Sequence, residues 1–203
     1  MRDISPADVL YAYQHGVFPM ADPEADDAIV WVRPDPRGIL PLDDFHVPSN
    51  LQKLVDRGTF TVRTDAAFEE VMAACADRPS TWLSDDLQTL FSTLHRWGYA
   101  HSVEAYYEGA LAGGLYGLAL GGAFFGESMF YREDNASKVA LVHLVDQLVA
   151  GGFVLLDIQW ATDHLRQFGA VEIPRLAYER RLHQALLTEA TWWPQHNESP
   201  ESP

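Results

Sequence analysis

The chain has a single cysteine, Cys75, which excludes an intrachain disulfide. It also lacks any apolar run of the ~20 residues needed to cross a bilayer. The start, Met1-Arg2-Asp3-Ile4-Ser5-Pro6, turns polar at once, without the apolar stretch of a secretory signal. These absences set the expectation of a cytoplasmic protein with no membrane partner. Neither HExxH nor CxxC occurs, and Asp163-His164 is the one tight pair of metal-ligating type, so we expect no metal and no cofactor. Positive charge is scarce as well. Lys plus Arg number 14 against 29 Asp plus Glu, a net charge of −15. That balance argues against broad, nonspecific nucleic-acid binding and is compatible with a cationic ligand. No internal repeat is present. Ser128 lies in Gly-Glu-Ser-Met-Phe, which is not the Gly-x-Ser-x-Gly elbow of a serine hydrolase.

Hydrophobic residues make up 47% of the 203, enough to build a core. Ser5, Pro6 and Asp8 open a helix that ends near Gly16. The stretch 18–27 reads as an acidic loop, 28–31 as a short strand and Pro34-Asp35-Pro36 as a turn. Ser49 caps a helix ending at Arg57-Gly58, and 60–63 reads as a strand. A helix begins at Asp65, with Phe68, Val71, Met72 and Cys75 at the spacing of a buried face. That placement reads Cys75 as a core thiol rather than a nucleophile. Ser84-Asp85-Asp86 starts a helix running to Trp97-Gly98. Strands follow over 102–107, 110–120 and 123–130, the first pair joined by a hairpin turn at Tyr107-Glu108-Gly109. Gly113, Gly114 and Gly117 in the middle strand point to a bulge or a close approach. A strongly amphipathic helix over 137–150, a strand from Phe153 and a last helix from Pro174 complete the order. The tail 196–203 is polar and rich in Pro and Ser, and is expected to be flexible.

The most informative pair of segments is Gly126-Glu127-Ser128-Met129-Phe130 and Leu155-Leu156-Asp157-Ile158-Gln159-Trp160. Each ends an apolar run, and the helix between them sets the two strand ends side by side, where open α/β sheets bind ligands. Asp157 and Gln159 stand at i and i+2 and so share one face of a strand. A carboxylate beside an amide can orient or accept a proton without a metal. Asp157 follows a buried strand and needs a partner. Trp82, just before a helix, either stacks a flat ligand or only packs. The β-β-β-α-β order resembles the acetyltransferase-like fold. Its coenzyme-binding turn is here 131–138, with no glycine and two carboxylates, which disfavours acetyl-coenzyme A.

Several uncommon words then occur in order. They are Ala12-Tyr13-Gln14-His15-Gly16-Val17-Phe18-Pro19, Pro34-Asp35-Pro36-Arg37, Gly-Glu-Ser-Met-Phe at 126–130 and Glu-Asp-Asn-Ala-Ser-Lys at 133–138. Asp-Ile-Gln at 157–159, Asp163-His164, Gly169-Ala170 and Glu172-Ile173-Pro174-Arg175 follow. Over nearly the whole chain this resembles the leucyl/phenylalanyl-tRNA–protein transferase family. The resemblance implies a mixed α/β, acetyltransferase-like sheet with flanking helices at 34–195, behind a small, truncated N-terminal domain at 1–33. It implies transfer of Leu or Phe, and less well Met, from aminoacyl-tRNA to proteins with N-terminal Lys or Arg, marking them for N-end rule degradation. By matching position, Asp157 would orient and polarise Gln159, which would help the incoming α-amine lose its proton. Glu127 would line the acceptor site and hold the basic residue. Phe124, Met129, Leu141, Leu144, Leu148 and Leu156 would form the donor side-chain pocket, and Trp82 would contact the terminal adenosine. The chain departs from the family at Met20, where a Trp is usual, and around 49–57, where Lys53 and Arg57 are nearly the only cations. The family's extension before Ile4 is absent too. Two alternatives stay open: an aminoacyltransferase with changed donor or acceptor preference, and a non-catalytic adaptor for basic N-termini.

Overall fold

The computed structural model describes residues 4–22, 25, 28–78 and 81–192. The expected flexible tail lies outside them. Ser5 caps α1 (Pro6–Gln14), and the Asp8 carboxylate accepts from the Ser5 N–H at 2.9 Å, which closes a capping box. The stretch read as an acidic loop is instead a strand, β1 (Phe18–Asp22), paired antiparallel with β2 (Ala28–Val32) through five partners. Pro19 and the acids hid it. A two-stranded ribbon has free edges on which a proline is tolerated.

The main sheet has the order β4-β5-β6-β7-β8-β3-β9 among the described residues. Its strands are β3 (Arg37–Ile39), β4 (Thr61–Thr64), β5 (Ala100–Tyr107), β6 (Ala110–Leu120), β7 (Ala123–Tyr131), β8 (Leu155–Gln159) and β9 (Val171–Ile173). Every neighbouring pair is antiparallel except β7–β8, whose parallel crossover is made by α5 (Ala136–Ala150). The expected β-β-β-α-β order is therefore present, and the hairpin turn holds Glu108 and Gly109 at φ 50° and 84°. The sequence reading missed β3 and β9, three residues each, as too short to show a period.

Helices cover both faces of this mixed sheet. On one face α1, α3 (Phe68–Ala76), α4 (Asp85–Arg96) and α7 (Arg175–Leu186) share a core that includes Tyr13, Phe68, Phe91, Tyr116, Phe125 and Tyr178. On the other, α2 (Ser49–Asp56) and α5 pack around Leu51, Leu115, Phe124, Leu141, Leu144 and Leu156. Phe68, Val71, Met72 and Cys75 are all buried on α3, as their spacing predicts. Ser84 caps α4 as expected, but Pro48 and not Ser49 is the N-cap of α2, and Asp65 stands at φ 54° before α3 rather than in it. The expectation of a strongly amphipathic α5 is corrected. Ten of its fifteen residues are buried, including Ser137 and Gln147, because the helix is wedged between the sheet and α2. The chain passes back over this face at Trp192, whose ring stacks on His101 and Phe124 while its Nε1–H donates to Asp65 at 2.8 Å.

The glycines of β6 do what their number foretold. The β6–β7 register slips between Tyr116 and Gly117: Tyr116 faces Ser128, Gly117 faces Gly126, and Glu127 is the extra residue between them. At Gly117 a Cβ would run into the Phe125 carbonyl oxygen and the Phe124 ring. We expect Gly117→Ala to cost about 1–3 kcal/mol in urea unfolding, as overpacking does. An unchanged midpoint would mean that the bulge relaxes freely.

Candidate active site

The parallel β7–β8 ladder pairs Ala123, Phe124 and Phe125 with Leu155, Leu156 and Asp157, and no later residue. Beyond Asp157 the strands part, and a cavity of about 360 Å³ opens between them. Its lining comes from both sides of the sheet. Leu115, Met129, Leu141, Leu144, Leu156, Ile158 and Leu165 belong to the core under α5, whereas Phe18, Met20, Trp82 and Tyr116 belong to the core under α3 and α4. One half is thus almost wholly apolar. The other holds Glu127, Gln159, Arg78 and the Tyr116 hydroxyl.

Asp157 does not line the cavity. It is 0% exposed and held on all sides. The Arg37 guanidinium grips it with two arms, Nε to Oδ1 at 2.9 Å and Nη2 to Oδ2 at 2.7 Å. The Tyr178 hydroxyl donates to Oδ2 at 2.5 Å, and the Gln159 backbone N–H donates to Oδ1 at 2.9 Å. Arg37 is itself 1% exposed, lies 4.8 Å from the ring centres of both Phe18 and Tyr178, and donates to the Gly16 carbonyl. Burial works against its charge, but the Asp157 carboxylate outweighs that and raises its pKa. Burial and the neighbouring carboxylate push the Tyr178 hydroxyl far up, so it stays a donor.

This corrects the expected pairing of Asp157 with Gln159. The two do not stand side by side on a regular strand, because Gln159 adopts φ 57°. Asp157 reaches Gln159 through its main chain and fixes that uncommon conformation. The Gln159 amide is left to face the cavity, and its Nε2 is buried without a partner. An amide nitrogen is a donor only.

Glu127, extruded by the bulge, opens on the cavity and accepts from the Tyr13 hydroxyl at 2.7 Å. A bulge commonly re-aims a side chain in this way. Loss of solvation pushes its carboxyl up to about 8, with the Asp157 charge adding to the rise and Tyr13 and Arg37 opposing it. Part of its surface meets the cavity, so water there tempers the effect. Burial thus favours the neutral form of the carboxyl that the resemblance sets against the basic N-terminal residue. The Tyr116 hydroxyl is fully buried beside it, also without a partner, and raised well above its usual pKa, first by burial and then by Glu127. His164 Nε2 is a third unpartnered atom on the same cavity, and burial followed by the charge of Lys138 lowers its pKa. Buried donors are rarely left empty without a functional reason.

Of the residues singled out by sequence, Trp82, Glu127, Met129, Leu141, Leu144, Leu156 and Gln159 line the cavity together. Phe124 and Leu148 do not. Both are fully buried in the core behind it. Sequence reasoning gave no role to Arg37, Tyr13, Tyr116, Tyr178 or Arg78. Arg37 and Tyr13 stood inside quoted words, and a buried Asp157 called for a cation, but nothing in the sequence said which. Cys75 is buried as expected, its thiol pushed up to about 12. Among the described residues no cluster of three His, Cys, Asp or Glu could hold a metal, and no helix is long and apolar enough to cross a membrane.

Two family models match the chain. Residues 39–183 fit "Leucyl/phenylalanyl-tRNA protein transferase", and residues 2–35 fit its N-terminal domain. The leucyl/phenylalanyl-tRNA–protein transferase of Salinibacter ruber is 56% identical over 193 residues, covering 95% of this chain and 84% of that protein. The protein of the same name from Paramagnetospirillum magneticum is 53% identical over 197 residues, covering 95% and 94%. A GCN5-related N-acetyltransferase from Kribbella flavida aligns at TM-score 0.44 with 13% identity, over 79% of this chain and 58% of that one.

Two substitutions test this geometry. The folded protein holds Glu127 neutral up to about pH 8, whereas the unfolded chain ionises it from about pH 4.5. Stability is therefore lost as pH rises through that window. Glu127→Gln should melt higher than the parent at pH 8, by the equivalent of about 1–3 kcal/mol, with the gap closing towards pH 4.5. A gap that ignores pH would show that water already solvates the carboxyl. Tyr116→Phe removes an unpaired hydroxyl, so its melting temperature should hold or rise while turnover falls at least tenfold. A fall in both would make the hydroxyl structural.

Proposed function

The chain belongs to the leucyl/phenylalanyl-tRNA–protein transferase family, and we propose that it moves Leu or Phe, less readily Met, from aminoacyl-tRNA to the N-terminal Lys or Arg of proteins. The acceptors would thereby be marked for N-end rule degradation in the cytoplasm. The observation that carries this reading is the two-sided cavity at the β7–β8 fork. The apolar half takes the donor side chain, and the polar half takes the ester and the attacking amine. Residues 1–33 form a small N-terminal unit in front of a catalytic unit at 34–195.

In this reading Met129, Leu141, Leu144 and Leu156 surround the donor side chain, backed by Phe124 and Leu148. Trp82, with Met20 beside it on the cavity wall, packs against the terminal adenosine. The Gln159 Nε2–H donates to the acyl oxygen, where negative charge develops as the amine adds. A positioned donor is worth more there than in water, because it is already aimed and desolvated. Asp157 touches no substrate. It is a positioning residue, and Arg37 and Tyr178 keep it from moving. Glu127 faces the acceptor's N-terminal residue.

A transfer assay tests the proposal, with radiolabelled Leu-, Phe-, Ile- and Val-tRNA against peptides beginning Lys, Arg, Asp, Glu and Ala. We expect Leu and Phe to go to Lys and Arg. The β-branched donors should fall by about one to two orders of magnitude, because a branched Cβ overpacks the pocket by about 1–3 kcal/mol. Equal turnover of Ile and Leu would overturn the pocket assignment. Preference for Asp or Glu would indicate changed acceptor choice, and binding of Lys-headed peptides without any transfer would make the protein an adaptor.

A further inference from the structure

We propose that Glu127, and not the Asp157–Gln159 pair, takes the proton from the acceptor's α-ammonium. This rests on the transferase reading above and names a chemical role within the same site.

The cavity offers few groups able to accept a proton. Asp157 is not among them. Both its oxygens are occupied by Arg37, Tyr178 and the Gln159 N–H, and it has no surface on the cavity. Protonating it would also leave a buried guanidinium without its counter-charge. The Gln159 amide has no useful basicity, and the atom it leaves unpartnered is a donor. Tyr116 and Tyr13 are phenols held in the neutral form. Arg78 is a cation. Among the described residues that line the cavity Glu127 remains, with His164 as the sole rival. His164 sits on α6 (Asp163–Arg166) beside Leu165, in the apolar half, where burial, and after it the charge of Lys138, lowers its basicity.

Glu127 is also built for the task. The bulge turns it out of the ladder into the cavity, and Tyr13 clamps one oxygen, while the other has no hydrogen bond from the described residues. The charged and titratable groups around it are Tyr13 from α1, Tyr116 from β6, Asp157 from β8 and Arg37 from β3, with Arg78 on the same cavity wall. Its carboxyl ionises at about 8, close to the ~7.7–8.0 of a peptide α-ammonium. Proton transfer between matched groups is nearly isoenergetic, which is where general-base catalysis works best.

The steps balance. The Glu127 carboxylate takes one proton from R–NH₃⁺. The freed lone pair forms the C–N bond to the ester carbon while the carbonyl electrons move to oxygen, towards Gln159 Nε2. The C–O bond to the ribose then breaks with its electron pair. The ribose oxygen picks up a proton leaving the now cationic nitrogen, and Glu127 gives its proton to solvent. The products are an amide, a ribose hydroxyl and one released proton.

The test is a pH profile of single-turnover Leu transfer to a Lys-headed peptide at saturating Leu-tRNA, from about pH 6 to about pH 9, for four proteins. In the parent the rate should rise with pH and level off above about 8. Glu127→Gln should lower the rate about 10²–10⁴-fold with little change in peptide KM. Tyr13→Phe should move the profile to higher pH, because the lost hydrogen bond favours the ionised carboxyl. His164→Gln should leave the shape unchanged. A Glu127→Gln variant within about threefold of the parent in rate would overturn the inference. So would a Tyr13→Phe profile that does not move, or an effect confined to KM. Failure of the parent to transfer Leu at all would sink the transferase reading instead.

Discussion

A buried ion pair sets the shape of the site. Arg37 and Asp157 are both shielded from water, and taking two charges into the interior costs about as much as their attraction returns. The pair is therefore poor insurance for stability. It does fix geometry. With a bidentate grip, a phenol and a main-chain N–H on one carboxylate, only one arrangement of β3, β8 and α7 satisfies every group. That arrangement holds Gln159 in a left-handed conformation and keeps its amide on the cavity.

The second determinant is a mismatch in the sheet. One strand carries an extra residue at Glu127, and its parallel neighbour stops pairing at Asp157. Together they leave a hole through a layer that would otherwise be continuous. A cavity that pierces a sheet can draw one wall from each core, and this is how a small protein sets a greasy pocket against a polar reaction centre. The bulge in turn needs Gly117, where any side chain would strike the neighbouring strand.

Much of this was legible in the sequence where the signal was local. The caps at Ser5 and Ser84, the buried stripe of α3 and the glycine-marked irregularity in β6 follow from short-range chemistry. So does the pairing of two polar strand ends across α5. What escaped was long-range or too short to have a period. β1 was hidden by Pro19, and β3 and β9 are three-residue strands. The partner of Asp157 lies 120 positions away, and Tyr178 a further 21 beyond it. The wrong expectation for α5 has the same origin, since only the fold shows that its polar positions are enclosed. The orphaned atoms on Tyr116 and Gln159 could not be read at all, because an empty hydrogen bond is a property of the surroundings.

The tie between positions 37, 157 and 178 bears on how such a chain is born. Synthesis delivers Tyr13 and Arg37 well before the carboxylates they grasp, Glu127 and Asp157, and Tyr178, which completes the hold on Asp157, follows later still. Contacts so distant along the chain form slowly and only after both partners have been made. A growing polypeptide thus carries no assembled reaction centre while it is still surrounded by the charged tRNAs of the ribosome that makes it. The reaction centre comes into being only once the chain has been made through Tyr178.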